Sequence, residues 1–257
     1  MLLKQYIKEM TTVEDKTMSR ENARRLMKDI KSLMKEPLQS ENIYYKHDES
    51  NMLKGYAMII GPKDSLYENG IYLFDFDFPV NYPYSPPKLS YKTNDGYVRF
   101  HPNFYKNGKV CISILNTWPG DPWTSCQTIR SILMTLVMLL DNKPLLHEPG
   151  IKETHFDFEK YNKIVTYKNI EIAFYEVCRR ILKNNVQIHT SMIFKDEIIK
   201  HYHEKKEYMK KKVMDKLGEN NEKEMVQTVV YGMKLEIDYN MLDIISCMNM
   251  DMATGPK

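Results

Sequence analysis

Apolar residues recur along the first third of the chain with two different periods. Ala23, Leu26, Met27, Ile30, Leu33 and Met34 fall three or four apart, which is one face of a helix with Ser19 as its N-cap and an end before Pro37. Three shorter runs, Ile43 to His47, Gly55 to Ile60 and Ile71 to Phe78, have the length and composition of strands. In the third, Tyr72, Phe74, Phe76 and Phe78 alternate with Ile71, Leu73, Asp75 and Asp77, so the aromatic face is expected to be buried and the aspartates to emerge on the other. Asn69-Gly70 marks the turn before it, and short strands joined by turns predict an antiparallel meander. Lys88 to Lys92 supplies a fourth strand. Between the third and fourth lie Pro79, Pro83, Pro86 and Pro87, which remove backbone donors and require a rigid, partly extended loop. Within it, Tyr82-Pro83 is a candidate cis bond.

The helical period returns in the second half. Thr124-Ser-Cys-Gln127 has the spacing of a capping box, opening a helix with Ile129, Ile132, Leu133, Leu136, Val137 and Leu140 toward the sheet, stopped at Asn142-Lys143-Pro144. Tyr161 to Leu182 reads as a third helix with a less regular pattern. Residues 190 to 217 read as an amphipathic helix whose apolar side carries Phe194, Ile198, Tyr202, Met209, Val213 and Leu217. Gly218 to Glu224 is a polar break, and Leu235 to Met248 is apolar again, with Asp238 as N-cap of a last short helix. The expected fold is therefore α+β: an N-terminal segment over 1–16, a core over 17–183 built on a four-stranded antiparallel meander, and a mainly helical extension over 184–257.

Composition narrows the function classes. With 257 residues, 42% apolar and 28% charged, the chain can bury a sizeable core, and a formal net charge of +3 is too small to predict a nucleic-acid or membrane partner. The basic face of the first helix (Arg20, Arg24, Arg25, Lys28, Lys31) reads as solvated, as do Lys205, Lys206 and Lys210 to Lys212 among Glu204, Glu207 and Asp215. The longest apolar run, Ile132 to Leu140, is far too short to span a bilayer. Cys111, Cys126, Cys178 and Cys247 show no CxxC pairing, and no basic-then-apolar leader precedes them, which predicts free thiols in a reducing compartment, cytoplasm or nucleus.

Candidate chemistry gathers between Arg99 and Gln127. Asn107-Gly108 has the composition of a tight turn between His101-Pro102-Asn103 and the apolar run Val110 to Leu115, and such a turn would bring the Asn103 amide near the sulfur of Cys111. A buried structural cysteine is the bland reading of that run; the turn, the nearby carboxamide and the following Trp- and Pro-rich segment argue against it. One nucleophilic reading is a cysteine hydrolase with His101 as base, which lacks an orienting third residue at a recognisable spacing. Thioester carriage needs less machinery. Exchange between two thiols is nearly isoenergetic, so a cysteine with a pKa near about 8.5 suffices, and Asn103 could donate to the tetrahedral oxyanion. No GxxxxGK[ST] loop occurs, so no ATP site is expected and any ATP-driven activation belongs to another protein. His201-x-His203 has no further ligand at metal-site spacing, so no metal is expected either.

These motifs together resemble the ubiquitin-conjugating enzyme family. His101-Pro102-Asn103 matches its His-Pro-Asn motif, Gly108-Lys-Val-Cys111 its active-site signature, Tyr82 to Pro87 its Tyr-Pro-x-x-Pro-Pro loop, and Trp123 the tryptophan before its second helix. The longer Asn116 to Pro122 loop, Cys-Ile-Ser-Ile-Leu and Glu148-Pro149-Gly150 are most similar to its larger, Z-type members. The resemblance implies that Cys111 carries ubiquitin or a ubiquitin-like protein received from an activating enzyme. It implies that Asn103 supports the oxyanion, and that His101, Pro102 and Trp123 shape the site. His147, in the segment Pro144 to Pro149, falls where family members place a group that helps deprotonate the incoming lysine; Leu146 is the alternative alignment. Arg20, Arg24 and Arg25 fall where members dock on the activating enzyme. Tyr84, Ser125 and Cys126 fall where they meet ubiquitin ligases, with Thr124-Ser125-Cys126 in place of the common Ser-Pro-Ala. Protein substrates complete the implied partners. A catalytically inactive binding module of the same fold is the non-enzymatic alternative; such variants lack the cysteine.

Overall fold

The structure is a computed structural model that describes residues 18–183, 189–219 and 222–247. The expected segment 1–16 and Met248 lie outside the described residues. Helix α1, Arg20–Lys35, begins where Ser19 Oγ accepts the Asn22 N–H at 3.1 Å, and it buries Leu26, Ile30 and Leu33. Strands β1 (Ile43–His47), β2 (Lys54–Ile60), β3 (Ile71–Asp77) and β4 (Lys88–Tyr91) follow as an antiparallel meander in sequence order. The registers Tyr45↔Ala57↔Phe74 and Ile43↔Ile59↔Tyr72 put these residues on one face. Side chains alternate along a strand, so Tyr44, Lys46, Tyr56, Met58, Leu73 and Asp75 share the other face. As the alternation predicts, Tyr72, Phe74 and Phe76 are buried while Asp77 is exposed. The proline segment after β3 is held by turns, and its Tyr82-Pro83 bond is cis.

The second long helix begins four residues later than the spacing predicts. Helix α2 is Ile129–Met138, and its capping box is formed by Thr128 and Ser131, not by Thr124 and Gln127. The cause is Arg25 on α1, whose guanidinium takes the carbonyls of Ser125 (2.5 Å) and Gln127 (2.7 Å). A helix capped at Thr124 would need those carbonyls for its own i+4 donors. From α2, Ile129, Ile132, Leu133 and Leu136 enter the core.

The irregular pattern of the third helix has a geometric origin. Helix α3, Phe158–Lys168, runs into a π-helical stretch, Asn169–Glu176, before α4, Val177–Leu182. The wider π turn shifts the buried face, so apolar positions on either side cannot keep one 3.6-residue register. At its start, buried Asn169 accepts the Tyr72 hydroxyl at 2.5 Å and donates to the Glu68 carbonyl at 3.0 Å.

The extension divides the helix expected over 190–217 at Phe194. It contains α5 (His189–Ile193), α6 (Lys195–Glu219, which includes Gly218) and α7 (Tyr239–Cys247), with Asp238 accepting the Met241 N–H at 3.2 Å. Between α6 and α7 lies a two-stranded hairpin, β5 (Glu224–Gln227) and β6 (Lys234–Ile237), where a polar break and an apolar run were expected. The hairpin packs on α3 and helix α7 on α6, whereas α5 and the start of α6 lie on the sheet face opposite the aromatic one. Lys46 donates to the Ile193 carbonyl and pairs with Glu197, His189 packs edge-on to Tyr56, and α5 contacts β2 and β3. The Glu68 carboxylate accepts Tyr208 (2.9 Å) and Lys212 (3.0 Å) from α6. Phe194, Ile198, Met209 and Val213 are fully buried, as the period predicts.

Candidate active site

The stretch from Arg99 to Gln127 has almost no regular structure, and side chains take the place of a ladder. Gly108, with φ of 84°, closes a turn in which its N–H reaches the Tyr105 carbonyl at 2.9 Å. A Cβ there would sit 2.8 Å from the Tyr91 carbonyl oxygen, so glycine is required twice over. Asn107 does not share the positive φ that its composition suggested; its side chain instead accepts the Lys109 N–H. The turn folds the His-Pro-Asn segment onto the cysteine: Cys111 N donates to the Asn103 carbonyl at 2.9 Å.

Asn103 is buried, and its side-chain amide lies on the backbone carbonyl of Cys111 at 2.5 Å, not on the sulfur. That amide carries two N–H bonds, and this contact uses one. Cys111 itself is 2% exposed. On its far side, Thr117 Oγ1 accepts the Ile112 N–H, and Asn116 in a left-handed conformation accepts the N–H of Trp123. Trp123, buried, donates from its indole to the Pro83 carbonyl at 2.7 Å, tying the longer loop to the proline segment. A groove lined by Pro87, Leu89, Asn107, Lys109, Val110 and Thr117 lies between β4 and the Asn107-Gly108 turn.

His101 is fully buried and accepts the Asn103 N–H on Nδ1 at 3.0 Å. A ring nitrogen that accepts in this way has its lone pair occupied, so the neutral ring carries its proton on Nε2. Burial, then His147 and Arg99, hold its pKa well below the ordinary histidine value. His101 therefore has no lone pair with which to deprotonate Cys111, and it acts as a turn-holding residue; the hydrolase dyad does not fit. The unfolded chain takes up protons below about pH 6.5 that folded His101 refuses, so stability is present above that pH and lost as pH falls. His47 and His201 are shifted the same way by burial. The urea midpoint should accordingly drop between about pH 7 and pH 5, and a flat profile would refute this account.

His147 stands beside this pair, its ring centroid 4.9 Å from that of His101. Its Nε2 is 2.9 Å from Asp141 Oδ2. A carboxylate can only accept, so Nε2 holds the proton and the lone pair of neutral His147 is on Nδ1. Asp141 was not singled out from the sequence; its signal is position, at the end of α2 and six residues before the histidine. Pro102 is buried and its carbonyl accepts twice from Arg99.

The residues expected to meet partners separate into two groups. Arg20, Arg24, Ser125 and Cys126 are exposed, and Tyr84 is 65% exposed. Arg25 is committed inside the fold: besides the two loop carbonyls it pairs with Asp29, which also accepts the Tyr82 hydroxyl at 2.5 Å. Among the described residues no cluster of His, Cys, Asp or Glu could hold a metal, and no helix is long and apolar enough to cross a membrane.

A family profile described as ubiquitin-conjugating enzyme matches residues 25–171. Ubiquitin-conjugating enzyme E2 Z of Homo sapiens is 40% identical over 152 residues, covering 58% of this chain and 42% of that protein. Its counterpart in Xenopus tropicalis is 38% identical over 156 residues, covering 60% and 49%. The dual E2 ubiquitin-conjugating enzyme/E3 ubiquitin-protein ligase BIRC6 of Homo sapiens is 42% identical over 123 residues, 45% of this chain and 2% of that one. The chain thus spans less than half the length of these curated relatives. The solved structure of human ubiquitin-conjugating enzyme E2 G1 aligns with a TM-score of 0.42 and 32% identity, covering 48% of this chain and 97% of that one.

Proposed function

Because this chain belongs to the ubiquitin-conjugating enzyme family, we propose that it carries ubiquitin or a ubiquitin-like protein as a thioester on Cys111 and passes it to a lysine or to a ligase cysteine. The observation that carries this reading is the buried Asn103 amide, seated on the Cys111 backbone with one N–H committed and a second to spare. In loading, the Cys111 thiolate attacks the thioester carbonyl presented by the activating enzyme; a new C–S bond forms, and the donor thiolate leaves and takes up a proton. In transfer, a lysine nitrogen forms a C–N bond to the same carbonyl, the C=O π pair moves onto the oxygen beside Asn103, and collapse breaks the C–S bond, releasing the Cys111 thiolate and leaving an isopeptide amide.

The lysine must shed a proton, and its ordinary pKa of about 10.4 keeps it charged at neutral pH. His147 takes that role, with Asp141 holding Nε2–H so that Nδ1 is free to accept. His147→Ala should slow discharge to free lysine by about 10²-fold near neutral pH, the lower end of what a positioned proton acceptor contributes. The deficit should shrink as pH rises toward the lysine pKa; a deficit independent of pH would remove the proton-acceptor role. Cytoplasm or nucleus is the compartment this thiol chemistry calls for.

Incubation with ubiquitin, an activating enzyme and ATP, followed by gels with and without thiol reductant, tests the whole reading. A reductant-sensitive adduct supports it. Absence of any adduct across several activating enzymes and ubiquitin-like proteins overturns it in favour of a non-enzymatic binding module.

A further inference from the structure

The turn carrying Asn103 and the segment carrying His147 are both irregular, and one residue far along the chain touches both. Tyr231 lies at the tip of the β5–β6 hairpin, outside the residues matched to the family, with φ of 65° and ψ of 2°. Bulky residues seldom adopt that left-handed conformation, and where they do the surroundings must hold them there. The holding contacts are explicit. Its carbonyl accepts Lys106 Nζ at 2.9 Å, and its hydroxyl donates to Glu148 Oε2 at 2.5 Å. Its ring centroid is 4.2 Å from the Arg99 guanidinium, which also lies 3.7 Å from the Tyr105 ring and donates to the Pro102 carbonyl. The tip is seated independently by buried Asp157, one of whose carboxylate oxygens accepts the N–H groups of Val229 and Val230 at 2.8 Å each.

We propose that Tyr231 is a positioning residue for aminolysis: it braces the Asn103 turn, through Arg99 and Lys106, against the His147 segment, through Glu148. This rests on the enzymatic reading above. The ordinary alternative is that the hairpin is merely packed on the core. Against it, Tyr231 spends its hydroxyl, its carbonyl and its ring on residues one to four positions from His147, Pro102 and Asn103, and does so from a strained backbone. The chemistry is unchanged by the brace; what it sets is the distance between the oxyanion donor and the proton acceptor. Misplacement of such groups by about 1 Å can cost about 10²-fold.

The test uses the full chain with Tyr231→Phe, which removes only the hydroxyl, and Tyr231→Gly, which removes the side chain while suiting the positive φ. Loaded with ubiquitin and chased with free lysine, the Phe variant should discharge about 10-fold and the Gly variant about 10²-fold more slowly per loaded molecule. The loss should fall in the limiting rate, with the lysine concentration for half-maximal rate and the thermal midpoint near wild type. A role in packing alone would lower the midpoint and the loaded fraction and leave the limiting rate per loaded molecule intact, which would overturn the proposal. Hydrogen exchange on the unloaded protein gives a second arm. Uptake over 99–106 and 144–149 should rise in Tyr231→Gly, and unchanged uptake there also overturns the brace. If the wild type forms no thioester, the enzymatic reading fails, and the exchange arm still decides whether the two segments are braced.

Discussion

Cys111→Ser should turn a reductant-sensitive ubiquitin adduct into one that survives reductant, and Cys111→Ala should give no adduct at all. An oxygen ester does not exchange with thiols under the conditions that cleave a thioester, so the serine adduct marks the attachment atom directly. Transfer to lysine should fall to background in both variants, a loss on the order of 10⁴ or more by comparison with nucleophile deletions in other acyl-transfer enzymes. The folded protein should tolerate the serine change. Cys111 is 2% exposed, but its place is fixed through its backbone, by the Asn103 carbonyl and the Asn103 amide, and not through sulfur. The other cysteines provide the contrast. Cys178 is buried with its thiol pKa pushed up by desolvation, so it is not prepared for acyl exchange, while exposed Cys126 remains in both variants as an internal control. A reducible adduct that persists in Cys111→Ser would move the thioester elsewhere and remove the basis for every role assigned around it.

Asn103→Ala should leave a thioester that forms and then lingers, with attack by free lysine slowed about 10²- to 10³-fold. The donor is worth most where charge builds on the carbonyl oxygen in a site from which water is largely excluded. The same substitution removes the amide that holds the Cys111 carbonyl, so an unfolding midpoint must accompany the rate. A slow rate with a wild-type midpoint assigns the loss to the oxyanion. Equal slowing of loading and discharge, with a lowered midpoint, would instead make Asn103 a strut of the turn.

How much of this was legible depended on how local each cause is. The α1 stripe, the β3 alternation and the glycine at 108 are local facts, and each appears in the structure where the period or the turn chemistry places it. Thr124 misled because its spacing competes with an arginine a hundred positions away: Arg25 claims the carbonyls that the earlier cap would need. The π-helical stretch at Asn169–Glu176 blurred the third helix, since no single period spans it. The hairpin of Glu224–Gln227 and Lys234–Ile237 escaped because two four-residue strands bury little on each side and their alternation is correspondingly faint. At the site, the motif residues were legible through family resemblance. The contact that occupies the His101 lone pair is local, two residues on, but no period or motif writes it; that Asn103 rests on a carbonyl and that Asp141, Arg99 and Tyr231 surround it come from the folded arrangement.

The sheet face covered by α5 and α6 has a consequence for how the chain is born. Met58 and Leu73 leave the ribosome with β2 and β3, but the helices that pack on that face begin more than a hundred residues after β3. At about 5–20 residues per second, the half-finished sheet waits on the order of ten seconds with an apolar side open to water. The nascent chain over that interval is a natural client for chaperones, and it owes its most aggregation-prone moment to the extension that completes the mature fold.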